Sequence, residues 1–220
     1  MSARIEVVSI GTQSRNPFWG ETVAVRAPHA TTALIRDGST SILVDPSLPP
    51  ELLVHRLDER AGLKPAQIDI VFLTTFRPVH RRGLTAFEAA DWLIAEEERN
   101  VVQHVLRAGQ LSAGVADPSS NEIAEELALL ERTKPAPDKL SKSVSLFPSP
   151  GASPGSCALL VSAARTVIVA GDAVICRDHY EAGRVFDRST HAEQARRSFA
   201  EIVELAEVVV PGHDNVFWIG

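Results

Sequence analysis

The sequence predicts an α/β (α+β) fold in which two β-sheets pack face to face and helices cover their outer sides. Short runs of β-type residues separated by turn signals occupy the start of the chain, and a second group of such runs begins near residue 144. Segments with apolar residues at helical spacing follow each group. Because sheets and amphipathic helices bury their apolar faces against one another in layers, this order predicts one layered domain over residues 1–220.

The first group of runs predicts antiparallel strands. Asp37-Gly38 separates two of the runs, and glycine supplies the positive φ that a tight hairpin turn requires. The predicted strands cover residues 5–10, 22–26, 32–36 and 41–44.

A helix and a buried strand are predicted next. Leu53 and Leu57 recur at helical spacing, Pro50 suits a first helical turn, and Gly62 is placed to end the helix. Residues 68–74 are almost continuously apolar, which is typical of a strand covered on both faces.

The second half repeats the order of helices and strands. Residues 81–132 are predicted to be mostly helical, with a brief apolar interruption at 92–94. Thr190 and Glu193 have the spacing of a capping box at the start of a late helix. The predicted strands of this half cover residues 144–147, 157–161, 166–170 and 208–210.

Composition excludes several classes of protein. The 220 residues are 45% hydrophobic and 23% charged, which is enough apolar material to fold without a structural metal. The net charge is −6 and the basic residues are scattered, which argues against a nucleic-acid partner. The sequence has neither a signal-peptide pattern nor an apolar run long enough for a membrane span, so we expect a cytoplasmic protein with two unpaired cysteines, Cys157 and Cys176.

Four polar clusters follow predicted buried strands, at points where side chains can converge on one cleft. They lie at residues 73–83, 149–156, 169–172 and 210–213. In order along the chain they resemble the motifs of the metallo-β-lactamase superfamily, which are a His-x-His-x-Asp-His loop, a Pro-Gly-His turn, a Gly-Asp and a late Gly-His. The resemblance spans nearly the whole chain and implies a four-layer αββα sandwich with a two-metal hydrolytic site.

The sequence departs from the family at most of the metal ligands. Thr75 and Arg77 stand at the positions of the loop's first two His residues, and Val79 stands at the position of its Asp. Only His80 matches in that loop. Ala152 replaces the His of the second turn, although the flanking Pro-Gly pairs are kept.

Three residues match the remaining ligand positions: His80, Asp172 and His213. Two imidazoles and a carboxylate can hold a single zinc, iron or manganese ion, with His80 and Asp172 as the catalytic groups. The alternative is a site without metal, because the guanidinium of Arg77 would repel a cation and pair with Asp172. Both alternatives follow from the resemblance and stay open at this point.

Four residues are candidates for ligand binding. Thr75, Arg77 and Arg81 present donors that suit a carboxylate or phosphate. Tyr180, with its neighbour His179, lies close enough to Asp172 in sequence for a loop to return it to the cleft, although most such residues belong to surface loops.

Three functions are compatible with the sequence. The first is a single-metal hydrolase of small-molecule esters, lactones, thioesters or phosphoesters. The second is a non-catalytic relative, or pseudoenzyme, that binds a small anionic ligand or a protein partner in the same cleft. The third is a structural subunit that packs on an active paralogue. Trp19 and Phe217-Trp218 predict either core closure or the patch of a homodimer.

Overall fold

Eleven strands form two sheets in residues 2–112 and 119–219, which are the residues that the computed structural model describes. The first sheet has its strands in chain order, β1 to β6. Strands β1 to β3 pair antiparallel, and β3 to β6 pair parallel. The strands are β1 (Arg4–Ser9), β2 (Thr32–Asp37), β3 (Thr40–Val44), β4 (Ile70–Leu73), β5 (Asp91–Ile94) and β6 (Lys134–Pro135).

The second sheet has the order β11-β10-β9-β8-β7. Strand β10 runs parallel to β9, and the other neighbours are antiparallel. Its strands are β7 (Val144–Pro148), β8 (Cys157–Ser162), β9 (Thr166–Gly171), β10 (Val208–Pro211) and β11 (Phe217–Trp218).

Helices connect the strands within each half of the described chain. Helix α1 begins at Pro50 as the sequence predicts and ends at Ala61. Gly62 caps it with a left-handed φ of 63° and donates its N–H to the carbonyl of Asp58. The helices are α1 (Pro50–Ala61), α2 (Pro78–Arg81), α3 (Glu96–Ser112), α4 (Ser119–Arg132), α5 (Arg177–Glu181) and α6 (Ala192–Leu205).

Side-chain alternation along the strands divides the core into three apolar layers. In β3, for example, Ile42 and Val44 face the second sheet, whereas Leu43 packs beneath Leu53 and Leu57 of α1. On the outer side of the second sheet, Ile202 of α6 packs on residues of β9 and β10. Two sheets between two helical layers form the αββα sandwich, which confirms the predicted fold class.

Three local predictions were wrong. Residues 22–26 form no strand, although their composition is β-type. The interruption at 92–94 is strand β5, a parallel neighbour of β4 whose apolar residues are buried on both faces. The hydroxyl of Thr190 bonds the carbonyl of Ala152, so the cap position of α6 falls to His191, which makes no side-chain cap.

The aromatic residues near the two ends of the chain divide between core and surface. Phe217 is buried against the outer face of the second sheet, whereas Trp19 and Trp218 are 62% and 65% exposed. Among the described residues, no helix has the length and apolar content to cross a membrane.

Candidate metal centre

The ends of four strands bring the candidate residues together. Asp45 follows β3 and Thr74 follows β4, and these strands are parallel neighbours, so their carboxyl ends share one edge of the first sheet. Asp172 and His213 follow the parallel strands β9 and β10 in the same way in the second sheet. The two edges approach closely at Gly171, whose φ is 52°. Only glycine fits there, since a Cβ at this position would lie 2.4 Å from the hydroxyl oxygen of Thr74.

The three predicted metal ligands lie together, with both imidazoles directed at one oxygen of the carboxylate. The Nε2 atoms of His80 and His213 each lie 3.2 Å from Oδ1 of Asp172. All three residues are buried, and their ligand atoms lie within 4.8 Å of one another. The structure therefore brings these three residues together, and they are called here the His-Asp-His cluster.

Hydrogen bonds on the far side of each imidazole fix its orientation. Nδ1 of His80 lies 2.9 Å from Oδ2 of Asp45, and Nδ1 of His213 lies 2.9 Å from the carbonyl oxygen of His29. Both partners are acceptors, so each Nδ1 carries a proton and donates it. The Nε2 atoms of the neutral rings then direct their lone pairs towards Asp172, an arrangement that needs a cation or a further proton between them.

Asp45 is a supporting residue to which the sequence analysis gave no role. Its carboxylate accepts hydrogen bonds from the backbone N–H of Thr74 at 2.9 Å and from the Thr74 hydroxyl at 2.7 Å. Its backbone has a φ of 50°, which is uncommon for a residue other than glycine but is tolerated by Asp and Asn. The available signal was an acidic residue directly after a buried strand.

Arg77 binds the second oxygen of the Asp172 carboxylate, the one that the histidines do not approach. Its Nη1 lies 2.9 Å from Oδ2 of Asp172, and its Nη2 donates to the carbonyl oxygen of Ala152. Arg77 and Ala152 both stand where the family resemblance implies metal-binding His residues. The guanidinium therefore binds Oδ2 of Asp172 and leaves Oδ1 directed at the two histidines.

Electrostatic coupling within the cluster shifts two pKa values. Burial alone would lower the pKa of His80, but the carboxylates of Asp172 and Asp45 outweigh burial and raise the pKa to about 10. Burial alone would raise the pKa of Asp172, but His80 and His213 hold it well below its usual range. Without a bound cation, His80 is therefore an imidazolium at neutral pH and Asp172 is a carboxylate.

Thr75 binds a buried carboxylate and does not line the cleft. Its hydroxyl donates to Oε1 of Glu98 at 2.7 Å, and the hydroxyl of Ser153 donates to Oε2 of Glu98 at 2.8 Å. The backbone N–H groups of Phe76 and Gly155 complete the set at 3.0 and 3.2 Å. Glu98 is thus satisfied by four donors and joins the first loop to the second turn, a role that nothing in its helical sequence context indicated.

Two other candidate ligand-binding residues also lie away from the cleft. The guanidinium of Arg81 is buried, donates to the carbonyl of Phe76 at 2.7 Å and pairs with Glu126 of α4. The ring of Tyr180 packs between Phe199 and Phe217 in the outer apolar layer. The structure brings Arg77 to the cleft, but not Thr75, Arg81 or Tyr180.

A cleft of about 390 Å³ opens beside the His-Asp-His cluster. Prolines, Val79 and Phe186 supply much of its apolar wall, whereas His80 is fully buried behind it. The polar residues that line it include Arg15, Arg77, Asp172, His179, Arg188 and His213.

Solved structures with the same architecture are metallo-β-lactamase-type proteins. A proposed metallo-β-lactamase from Thermotoga maritima superposes with a TM-score of 0.71 at 15% identity, over 99% of this chain and 100% of that one. The dizinc quorum-quenching lactonase AidC, in complex with a product, has a TM-score of 0.69 at 15% identity, over 86% of this chain and 74% of that one. A quorum-quenching N-acyl homoserine lactone lactonase has a TM-score of 0.66 at 18% identity, over 97% and 93%.

No protein-family model and no curated protein matches the sequence. At these identities the structural likeness shows the fold, and function has to be argued from the site itself.

Proposed function

Because the chain has the metallo-β-lactamase fold, we propose that it is a hydrolase with one divalent cation, in which the guanidinium of Arg77 takes the place of a second cation. The observation that carries the proposal is the convergence of two imidazole Nε2 atoms on the same oxygen of Asp172, each at 3.2 Å. The substrate class is an ester, lactone, thioester or phosphoester.

The spacing of the cluster fits a tetrahedral ion. Ligand atoms about 2.0–2.1 Å from zinc at tetrahedral angles are separated from one another by about 3.3 Å. The two separations from Asp172 in the cluster are each 3.2 Å, so the pairs that include Asp172 match this value, and all three ligand atoms lie within 4.8 Å of one another. The outward Nδ1 bonds to Asp45 and to the His29 carbonyl are those that orient metal-binding imidazoles.

The charges around the cluster also favour a cation. Asp45 and Asp172 contribute two negative charges and Arg77 contributes one positive charge, so neutral imidazoles leave a net charge of −1 in a buried site. A divalent cation changes this to +1, which suits an anionic substrate or product. A proton on His80 would neutralise the site instead, so metal and proton compete for the same position.

The chemistry divides between the ion and the side chains around it. A zinc, iron or manganese ion held by the cluster would polarise the scissile group and lower the pKa of a water molecule. Asp172 and Arg77 both line the cleft, where Asp172 would orient that water and Arg77 would stabilise negative charge that develops on the substrate. Val79 has no acid or base group, so Asp172 has to perform the orienting role alone.

Two features support a carboxylic ester or lactone as the substrate. Hydrolysis of either gives a carboxylate, and Arg15, Arg77 and Arg188 line the cleft where such a product would be released. Two of the similar structures are named as quorum-quenching lactonases.

The test is hydrolysis by metal-reconstituted protein. Protein stripped with a chelator is reloaded with Zn²⁺, Mn²⁺ or Fe²⁺ and assayed on 4-nitrophenyl butyrate, N-hexanoyl-homoserine lactone and 4-nitrophenyl phosphate. We expect metal-dependent turnover of an ester or lactone that is lost in His213→Ala and kept in His104→Ala, a matched change on the exposed side of α3. Absence of turnover with every metal and probe would contradict the hydrolase.

The runner-up function is a non-catalytic protein that binds a small anion in the same cleft. It is favoured by the raised pKa of His80, about 10, since a protonated His80 balances the cluster without metal. Thermal melts in the presence of Zn²⁺ and of acetate or phosphate separate the two proposals, because only a ligand that binds the folded state raises the melting temperature. Stabilisation by anions with no response to Zn²⁺, Mn²⁺ or Fe²⁺ would favour the binding protein.

A further inference from the structure

Cys176 and His179 form a buried pair beside the cleft that the proposed chemistry does not use. Cys176 lies at the cap position of α5 and His179 lies one turn into that helix. Their residues are 3% and 1% exposed, respectively. His179 lines the same cleft as Arg77, Asp172 and His213.

The contact between the pair is compatible with either tautomer of the His179 imidazole. Sγ of Cys176 lies 3.1 Å from Nδ1 of His179, and the side-chain amide of Gln13 donates to the same sulfur at 3.4 Å. In one of these tautomers the sulfur accepts from Gln13 and its own S–H donates to Nδ1. The neutral ring then carries its proton on Nε2.

Burial keeps both members of the pair neutral. It raises the pKa of the Cys176 thiol and lowers the pKa of His179. The imidazole of His179 and the ring of Phe18 pack edge to face, with their centroids 4.9 Å apart and their planes at 79°. His179 lines the cleft together with Asp187, so a ligand bound in the cleft can reach its ring.

We propose that His179 is a further catalytic residue, a neutral donor whose Nε2–H bonds the carbonyl or phosphoryl oxygen of the substrate, and that Cys176 is the positioning residue that sets its tautomer. This inference rests on the proposed hydrolase for its kinetic role. The tautomer and the donor function of Nε2 are properties of the cleft that hold whether or not the protein is catalytic. His179 acts through a hydrogen bond and is distinct from the His-Asp-His cluster, which does not include it.

The tautomer is tested directly by nitrogen NMR of the histidine side chains, with His179 assigned by its loss in His179→Gln. We expect the wild-type protein to show the Nε2–H tautomer at neutral pH. Cys176→Ser retains a donor and keeps that tautomer, whereas Cys176→Ala loses the donor and gives a mixture of tautomers. An Nδ1–H tautomer or an imidazolium in the wild-type protein would overturn the inference.

The donor function is tested by titration with hexanoate, a carboxylate probe for the cleft. The Nε2–H resonance of His179 is expected to shift as the carboxylate binds. Binding of hexanoate with no shift of that resonance, or no binding at all, would overturn the donor role. This arm needs no turnover, so it separates failure of the inference from failure of the proposed hydrolase.

The kinetic arm uses 4-nitrophenyl butyrate or the homoserine lactone, whichever is hydrolysed. His179→Leu removes the donor, and loss of one such donor lowers kcat by about 10²–10³-fold, with KM changed much less. His179→Gln keeps an N–H donor at a similar reach and is expected to restore part of the rate. Equal kcat in wild type and His179→Leu would contradict a catalytic role, and His55→Gln on the exposed side of α1 is the control.

Discussion

Arg77 and Asp172 form an ion pair of 2.9 Å in which the guanidinium binds only one of the two carboxylate oxygens. The other oxygen is shared by the Nε2 atoms of His80 and His213. The carboxylate of Asp172 therefore binds the Arg77 guanidinium through one oxygen, and its other oxygen lies in a cluster that could hold a metal ion. The guanidinium and the metal need not exclude each other, although the sequence alone presents them as alternatives.

Removal of the guanidinium should destabilise the fold. In Arg77→Ala, Oδ2 of the buried Asp172 loses its partner, and an unpaired buried acceptor costs about 1–3 kcal/mol. Because Arg77 is itself 28% exposed, we expect a value in the lower part of that range. Urea unfolding measures the change, with Arg77→Lys as the variant that keeps the charge. An unchanged free energy of unfolding would show that the pair contributes nothing.

Asp45 should control metal affinity through the orientation of His80. Asp45→Asn keeps the size of the side chain and the tolerance for positive φ, but it removes the charge that holds the His80 ring. Loss of such a supporting carboxylate weakens metal binding by about 10–100-fold. Calorimetric titration with Zn²⁺ measures the effect.

The control for this prediction is Asp58→Asn. Asp58 is an exposed carboxylate of α1 that pairs with Lys64. That variant should bind Zn²⁺ as the wild type does. Equal affinity in Asp45→Asn would contradict the claim that Asp45 controls metal binding through His80.

Thr75 should matter for stability and not for metal binding. Thr75→Val removes the hydroxyl that donates to Glu98 and leaves a buried carboxylate oxygen with one donor fewer, at a cost of about 1–3 kcal/mol. Chemical denaturation together with Zn²⁺ titration separates the two effects. Weaker Zn²⁺ binding with unchanged stability would assign Thr75 to the site instead.

The stability of the metal-free protein should fall as the solution becomes alkaline. His80 has a folded-state pKa of about 10, above the ordinary histidine value of 6.5 in the unfolded chain. The folded state therefore holds this proton more tightly, so its contribution is complete below about pH 6.5 and is lost as the pH rises through 10.

Denaturation in EDTA across that range measures the slope, and His80→Gln should flatten it. A wild-type slope equal to that of His80→Gln would indicate that the carboxylates do not raise the pKa of His80. With Zn²⁺ present the same coupling requires binding to release the His80 proton, so affinity should increase with pH.

The fold could be predicted from the sequence because its strands and helices have clear periodicities and end signals. The Asp37-Gly38 hairpin and the Pro50 to Gly62 limits of α1 were read correctly for this reason. The sequence predicts no strand at β5, since its three apolar residues at 92–94 show no periodicity of their own and depend on pairing with β4.

The convergence of the His-Asp-His cluster could be anticipated from the order of its motifs, whereas the partners around it could not. The bond between Glu98 and Thr75 joins residues 23 positions apart, and the bond between Cys176 and Gln13 joins residues 163 apart. Such contacts depend on the packing of separate loops. Arg81 illustrates the opposite error, because its position beside His80 suggested the cleft, but the helical turn of α2 directs its side chain towards α4.

The number of divalent ions bound per chain decides whether the His-Asp-His cluster is a single-metal centre. Mass-spectrometric metal analysis of protein purified in the presence of Zn²⁺ and then dialysed is expected to give one divalent ion per chain in the wild type. Asp172→Asn and His213→Ala should each lose that ion. Zero ions in the wild type would contradict the metal centre, and two ions would contradict the claim that Arg77 stands in place of the second.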